Sequence, residues 1–258
     1  MGSIQDLRPL FVASLKMFYR SADTVLFWVV SPLLVFGIYA LVQELNFGID
    51  DRASSVDFFS FVAIGNAAFI GAHFAQDGIV GAASGYRASG ILKRIAVTPI
   101  SPSVFIAAQI LARLVVALAA TAVMLGLAEA LGADVAYTAN LVWIAPLVAI
   151  AVLTGVSFGF AIAGAMGAPE SANQLNIALF TPVFMLAGIM YPLDGLPEAA
   201  RDAAIYLIPF AAIVEAIRGV VDGLPITDFL RQGAIALVWL GIAFGLATRK
   251  YRFVEREA

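Results

Sequence analysis

The sequence predicts an all-helical integral membrane protein with six transmembrane helices, an amphipathic interfacial helix before the first, and short re-entrant helices before the last. Of the 258 residues, 62% are hydrophobic and 13% are charged, whereas soluble domains have about 45–50% apolar and about 25% charged residues. The mean hydropathy is +0.94, and apolar runs of bilayer length recur along the chain. A soluble domain of this size cannot bury so much apolar surface.

Composition excludes several classes of protein. A net charge of −3 argues against a partner that is a nucleic acid. With no cysteine and with His73 as the one histidine, we expect no disulfide and no bound metal. No Gly-Lys pair occurs, so the chain has no phosphate-binding loop, and we expect it to bind no cofactor itself. No early apolar run ends in a small-residue cleavage site, so we expect no cleaved signal peptide.

Six apolar runs are candidates for crossing a bilayer core, which is about 30 Å thick. They are Val25–Leu41, Phe58–Gly81, Val104–Ala130, Leu141–Gly164, Leu175–Tyr191 and Ala234–Thr248, the last extendable backwards to Phe229. The runs do not alternate as the strands of a barrel do, and only helices and closed barrels satisfy their backbone in lipid. We therefore predict six helical spans.

Basic residues predict the orientation of these spans. With six spans and an inner N-terminus, the outer side receives only Arg52, Arg201, Arg218 and Arg231, while the other loop and tail arginines and lysines lie in the cytoplasm. Counting Ala203–Val221 as a seventh span would place the basic tail outside, against the positive-inside rule. We predict a multi-pass protein of a bacterial-type plasma (inner) membrane with both termini cytoplasmic.

Two segments outside the spans are predicted to lie at the membrane surface. In residues 1–22, apolar positions recur at helical spacing between Arg8, Lys16 and Arg20, which is typical of an interfacial helix on anionic lipids. In residues 192–228, four prolines divide an apolar segment into helices too short to cross. We expect two short helices there, one entering the outer leaflet and one returning.

Residues 82–103 form the predicted cytoplasmic loop between the second and third spans. Ile91, Leu92 and Ile95 give one apolar face, Arg87, Lys93 and Arg94 carry charge, and Thr98-Pro99 ends the helix. A short protruding helix of this kind suits docking into the groove of a soluble partner. A plain basic loop is the alternative.

Three stretches of the sequence resemble ABC-2 type exporter permeases. The run Arg87-x-x-Gly90-x-Leu92-x-x-Ile95-x-x-Thr98-Pro99 resembles their cytoplasmic loop, although Ala88 and Ser89 stand where an acidic residue is common. Pro182 through Gly188-Ile-Met-Tyr-Pro192 resembles their fifth span and its exit, and Pro209-x5-Glu215-x2-Arg218 resembles the segment before the last span. The order of these stretches extends the resemblance over a single domain, residues 1–258.

The resemblance implies a non-catalytic permease subunit of an ABC exporter. A separate nucleotide-binding ATPase subunit would bind ATP and Mg²⁺, and two permease copies, identical or close paralogues, would pair in the lipid membrane. The residues implied in coupling to the ATPase are Arg87, Gly90, Leu92, Lys93, Arg94, Thr98 and Pro99. Pro209, Glu215 and Arg218 would form an outer re-entrant motif.

The length of the outer loops leads to an expectation about the class of substrate. Compact outer loops favour export of a hydrophobic or amphipathic compound, drug-like or lipid-like, over a lipid-linked glycan or polysaccharide. An ATP-independent secondary transporter is a further alternative. Polar or kinked positions within the spans are candidates for the substrate pathway because polar groups there are costly. These are Asn66, His73, Asn173, Asn176 and Pro182.

Two finer features of the spans allow two interpretations each. His73 and Asp77 lie four residues apart on one helical face. They are interpreted either as a proton relay or as polar contacts between helices. Gly155-x-x-x-Gly159 and Gly241-x-x-x-Gly245 permit close helix packing, which includes pairing with a second copy.

Overall fold

The computed structural model of the chain describes residues 4–20, 58–91, 102–130, 138–166, 168–189 and 196–251, with isolated positions between 30 and 41 and at 193. Regular structure in these ranges is helical. In chain order the helices are α1 Ile4–Arg20, α2 Phe58–Ala88, α3 Pro102–Ala130, α4 Ile144–Ala165, α5 Pro169–Leu186, α6 Glu198–Leu207, α7 Ala211–Val221 and α8 Ile226–Lys250. A 3₁₀ turn, Ala139–Trp143, leads into α4. The predicted first span, Val25–Leu41, falls largely outside the described residues.

The all-helical membrane fold is confirmed, whereas the number of six spans stays a prediction. Within the described ranges, the segments Val104–Ala130, Ala139–Ala165 and Phe229–Lys250 are long and apolar enough to cross a membrane. The pair α6 and α7, bent by 106° at the break between them, makes a fourth if it is counted as one span. The bend fits two short helices separated by Pro209.

Several helix boundaries differ from those predicted: α5 ends at Leu186 rather than Tyr191, α8 starts at Ile226 rather than Ala234 or Phe229, and two further differences concern α2 and the start of α5. The second span was expected to end at Gly81, but α2 continues to Ala88, so the first part of the predicted loop 82–103 is helical. It ends where Gly90 takes a φ of 69°, a left-handed conformation that favours glycine and terminates helices. The fifth span was expected from Leu175, but α5 starts earlier, with Pro169 in its first turn.

α2 is the central helix of the described bundle. It packs against α3, α4, α5 and α7, and most of its residues between 62 and 80 are buried. At about 1.5 Å per residue, its 31 residues extend about 46 Å. α1, predicted to be interfacial, lies against α3, and α8 packs on α4 and α7.

Gly155 and Gly159 of α4 allow a backbone-level approach to α2. A Cβ at 155 would collide with the carbonyl oxygen of Ala72, and a Cβ at 159 would lie 2.7 Å from the carbonyl oxygen of Gln76. The close packing predicted for this glycine pair therefore lies inside one chain, and the glycines are covered, so a role in pairing with a second copy is wrong for them. At Gly241 and Gly245 an added Cβ meets nothing within 4 Å.

The substitution Gly159→Ala tests this contact. The added methyl would lie 2.9 Å from the Ile79 side chain as well as against the α2 backbone, and such overpacking typically costs about 1–3 kcal/mol. Gly126→Ala on α3, where an added Cβ meets nothing within 4 Å, is the matched control. Thermal unfolding in mild detergent should show a lower midpoint for Gly159→Ala alone. Equal midpoints for the two variants would contradict the close approach.

Candidate functional site

A chain of polar side chains joins α2 to α5 inside the bundle. Gln76 donates from Nε2 to Oδ1 of Asn176 at 2.8 Å, and Asn176 donates from Nδ2 to Oδ1 of Asp77 at 3.0 Å. Asn176 and Gln76 are both buried. Polar groups at membrane depth are costly unless they bond to one another. The side-chain amide of Asn176 therefore holds Gln76 through its oxygen and Asp77 through its nitrogen.

His73 lies one turn before this chain, among aromatic rings. Its imidazole stacks on Phe180 of α5 with ring centroids 3.7 Å apart, and Phe69 of α2 lies 6.1 Å away. Phe184 packs on Phe69 from the same side of α5. The histidine thus belongs to the α2–α5 interface, and the carboxylate of Asp77 bonds across that interface to Asn176.

Arg113 of α3 is a buried cation on the other side of α2. Its Nη1 donates to Oε1 of Gln109 at 2.7 Å, and its Nη2 donates to the carbonyl oxygen of Gly78 at 2.9 Å. A Cβ added at Gly78 would lie 3.5 Å from the guanidinium, which is an ordinary van der Waals distance, so the contact does not require a glycine there. Arg113 therefore holds α3 to the same turns of α2 that α5 contacts.

One end of the bundle, here named the basic end, carries Arg87, Arg249 and Lys250. Arg87 at the end of α2 donates from Nη1 to the carbonyl oxygen of Ala163 in α4 at 3.1 Å, and its guanidinium lies 5.9 Å from the centre of the Tyr251 ring. Arg249 and Lys250 are exposed at the end of α8. The ends of α2, α4 and α8 and the start of α3 therefore meet here.

Tyr251 closes this junction between helices. Its hydroxyl donates to the carbonyl oxygen of Ala83 at 3.4 Å, and its ring packs 4.8 Å from that of Phe160. Burial raises the pKa of Tyr251 to about 12, so the phenol keeps its proton at physiological pH and remains a donor.

Arg218 of α7 anchors the bent helix pair at the opposite end. Its Nη1 donates to Oε1 of Glu215 at 2.9 Å, and its Nη2 donates to the carbonyl oxygens of Phe61 and Ile189 at 3.1 and 3.3 Å. The guanidinium also lies 3.5 Å from the centre of the Phe61 ring, a cation–π geometry. At Gly65 an added Cβ would collide with Arg218, so this glycine makes the contact possible.

The structure brings together some of the predicted residues and separates others. Asn66, His73 and Asn176 lie within the bundle, but Asn173 and Pro182 of α5 are exposed. Glu215 and Arg218 form an ion pair with each other. Pro209, which is half-buried, lies just before α7. Arg87 and Gly90 lie at the basic end. The remaining residues predicted for coupling lie outside the described residues, namely Leu92, Lys93, Arg94, Thr98 and Pro99.

Sequence reasoning missed several members of these clusters. Gln76, Gln109 and Arg113 each interrupt an apolar run, and that interruption was the available signal. Phe180 and Tyr251 gave no such signal, because aromatic residues are common along the chain and only the packing shows which ones contact His73 and Arg87.

The chain is similar in sequence to known proteins. The model of the family described as ABC-2 type transporter matches residues 6–221. Among curated proteins, Nodulation protein J of Rhizobium leguminosarum bv. trifolii is 26% identical over 103 residues. This alignment covers 39% of the chain and 39% of the relative, so the chain matches well under half of that protein's length.

Replacing Asn176 tests the polar chain. Asn176→Ala removes the partner of both Gln76 and Asp77, and a buried polar group left without its bond costs about 1–3 kcal/mol. The exposed Asn173, one turn earlier on α5, is the matched control. In thermal unfolding, Asn176→Ala should lower the midpoint and Asn173→Ala should leave it unchanged. An unchanged midpoint for Asn176→Ala would show that its hydrogen bonds to Gln76 and Asp77 do not stabilise the fold.

Arg218→Lys tests the anchoring of the bent helix pair by Arg218. Lysine keeps the charge but has no fork of donors to reach Glu215 and two carbonyls together. We expect a loss of about 1–3 kcal/mol in unfolding free energy and faster proteolysis of the connection between α7 and α8. Arg201→Lys in the half-buried part of α6 is the control. Identical behaviour of the two variants would rule out an anchoring role.

Proposed function

The chain belongs to the ABC-2 type transporter family, and on that premise we propose that it is the permease subunit of an ATP-driven exporter. Members of this family are membrane components of transporters and normally work with an ATP-binding subunit. Since this chain contains no phosphate-binding loop, ATP and Mg²⁺ would be bound by a separate ATPase chain. This pairing is favoured over the ATP-independent alternative.

The observation that carries the proposal is that the central helix α2 ends at the basic end, where residues 89–101 connect it to α3. α2 ends at Ala88 and α3 begins at Pro102, so residues 89–101 join two packed helices at the end that carries Arg87. The predicted coupling residues from Gly90 to Pro99 fall in or beside this connection. A force applied there acts directly on the central helix, which contacts α3, α4, α5 and α7.

The distribution of charge supports a cytoplasmic position of the basic end. Arg87, Arg249 and Lys250 meet there, and the connection 89–101 adds Lys93 and Arg94. An excess of Lys and Arg marks the cytoplasmic side. With six spans, including the one predicted at Val25–Leu41, both termini and the interfacial helix α1 would lie on that side of a bacterial inner membrane.

The exposed surface of α5, which no other described helix covers, supports pairing with a second permease copy. Four large apolar side chains of α5 are more than 45% exposed, namely Ile177, Leu179, Met185 and Leu186. Asn173 and Pro182, predicted for the substrate pathway, lie exposed on the same helix. We propose that a hydrophobic or amphipathic compound moves outward beside this face, with α6 and α7 as the re-entrant pair that ends its path.

Co-purification tests the proposed coupling. The double variant Leu92→Ala/Arg94→Gln, extracted in mild detergent, should retain the ATPase subunit at least about tenfold less than the unchanged protein, because removing two anchors of a small interface costs more than about 1.4 kcal/mol. Adding Arg87→Gln should deepen the loss. Arg201→Gln/Arg231→Gln, at the opposite end of the bundle, is the control and should retain it.

Two results would overturn the proposal. One is equal retention of the ATPase by the coupling variant and the control, which would move the contact away from residues 87–99. The other is the absence of any nucleotide-binding protein from the unchanged complex under every mild extraction condition, which would remove the ATP-driven mechanism itself.

A further inference from the structure

A large apolar groove lies between α3, α4 and α8. Its volume is about 610 Å³, and its walls are almost wholly apolar, with Ile106 from α3, Leu153 and Phe160 from α4, and Leu240 and Phe244 from α8. Pockets that hold small organic ligands measure about 300–1,000 Å³. The groove is therefore large enough to hold a long aliphatic chain.

The position of the groove determines which kind of molecule can fill it. Its three walls come from the helices that are long and apolar enough to cross a membrane. At membrane depth no water is present to occupy the space, and an empty apolar cavity forfeits van der Waals contacts. A hydrocarbon chain of the surrounding lipid is the molecule available at the highest concentration.

Charge at the mouth of the groove favours one class of lipid. The lining continues through Thr248 to Tyr251, which lies at the basic end beside the Arg87 guanidinium. Arg249 and Lys250 are exposed in the same last turn of α8. Long basic side chains extend to the headgroup level, where each contributes about 1 kcal/mol of attraction to anionic lipid. A phosphate of a net anionic headgroup complements this cluster.

We propose that this groove binds one anionic phospholipid, with an acyl chain between α3, α4 and α8 and its headgroup at the basic end. The site is separate from the α2–α5 interface and from the exposed face of α5. It would fasten α8 to the ends of α2 and α4. The proposal does not depend on the transported compound or on the ATPase.

A pair of glycines on α8 offers a matched test. Gly241 lines the groove and Gly245, one turn later, does not, and an added Cβ at either position meets nothing within 4 Å. Gly241→Leu therefore places a bulky side chain at the wall of the groove, whereas Gly245→Leu adds the same side chain at a position that does not line it. Comparison of their helix content and thermal midpoints separates loss of the site from loss of the fold.

The measurement is native mass spectrometry of the full-length protein titrated with phosphatidylglycerol or phosphatidylcholine. The unchanged protein and Gly245→Leu should retain one phosphatidylglycerol, and Gly241→Leu should bind it about tenfold more weakly because methylenes lose their burial. Arg249→Gln/Lys250→Gln should reduce the preference for phosphatidylglycerol over phosphatidylcholine by about tenfold.

Three results would overturn this assignment. Equal affinity of Gly241→Leu and Gly245→Leu would show that the lipid binds elsewhere. Equal retention of both lipids by the unchanged protein would remove the role of the cations. A change in the number of protein copies for Gly241→Leu alone would make the groove an interface between chains.

Discussion

The close contact of α2 with α4 is the constraint on which the rest of the structure depends. Gly155 and Gly159 remove the side chains that would separate the two backbones, and small residues are what allow helices to associate tightly in lipid, where hydrophobic burial drives little association. Because the contact is between backbones and repeats one turn later, side chains added there would force the helices apart. We therefore expect α2 and α4 to move as one unit to which other helices attach.

Polar bonds fasten three further helices, α3, α5 and α7, to defined turns of α2. Arg113 attaches α3, Asn176 attaches α5 and Arg218 attaches α7, each through hydrogen bonds to the side chains or carbonyl groups of α2. Such bonds are directional, unlike apolar packing, and so they fix the rotation of each helix. A displacement that begins near Arg87 would consequently reach both the α5 face and the bent pair α6–α7.

The sequence predicted the class of fold because length and apolar content are local properties. The resemblance singled out Glu215 and Arg218 as part of a motif, but only the structure shows that they form an ion pair within one helical turn. The sequence could not show that Gly155 and Gly159 contact α2, or that Asn176 is buried while Asn173, one turn earlier on α5, is exposed, since both depend on which helices pack together. The apolar run of the second span ends at Gly81, but α2 continues to Ala88, and the Arg87 guanidinium in its last turn bonds to α4.

Distances between spin labels test the rigid unit most directly, and the absence of native cysteine means that labels can be introduced singly. Ser89, just after α2, and Ala165, at the end of α4, are both exposed at the basic end. In the complex with the proposed ATPase, a permease labelled at 89 and 165 and diluted with unlabelled permease should keep a constant 89–165 distance when ATP is trapped. In an undiluted complex labelled at 89 alone, the distance between the two copies should change. A change in the 89–165 distance would contradict transmission by a rigid α2–α4 unit.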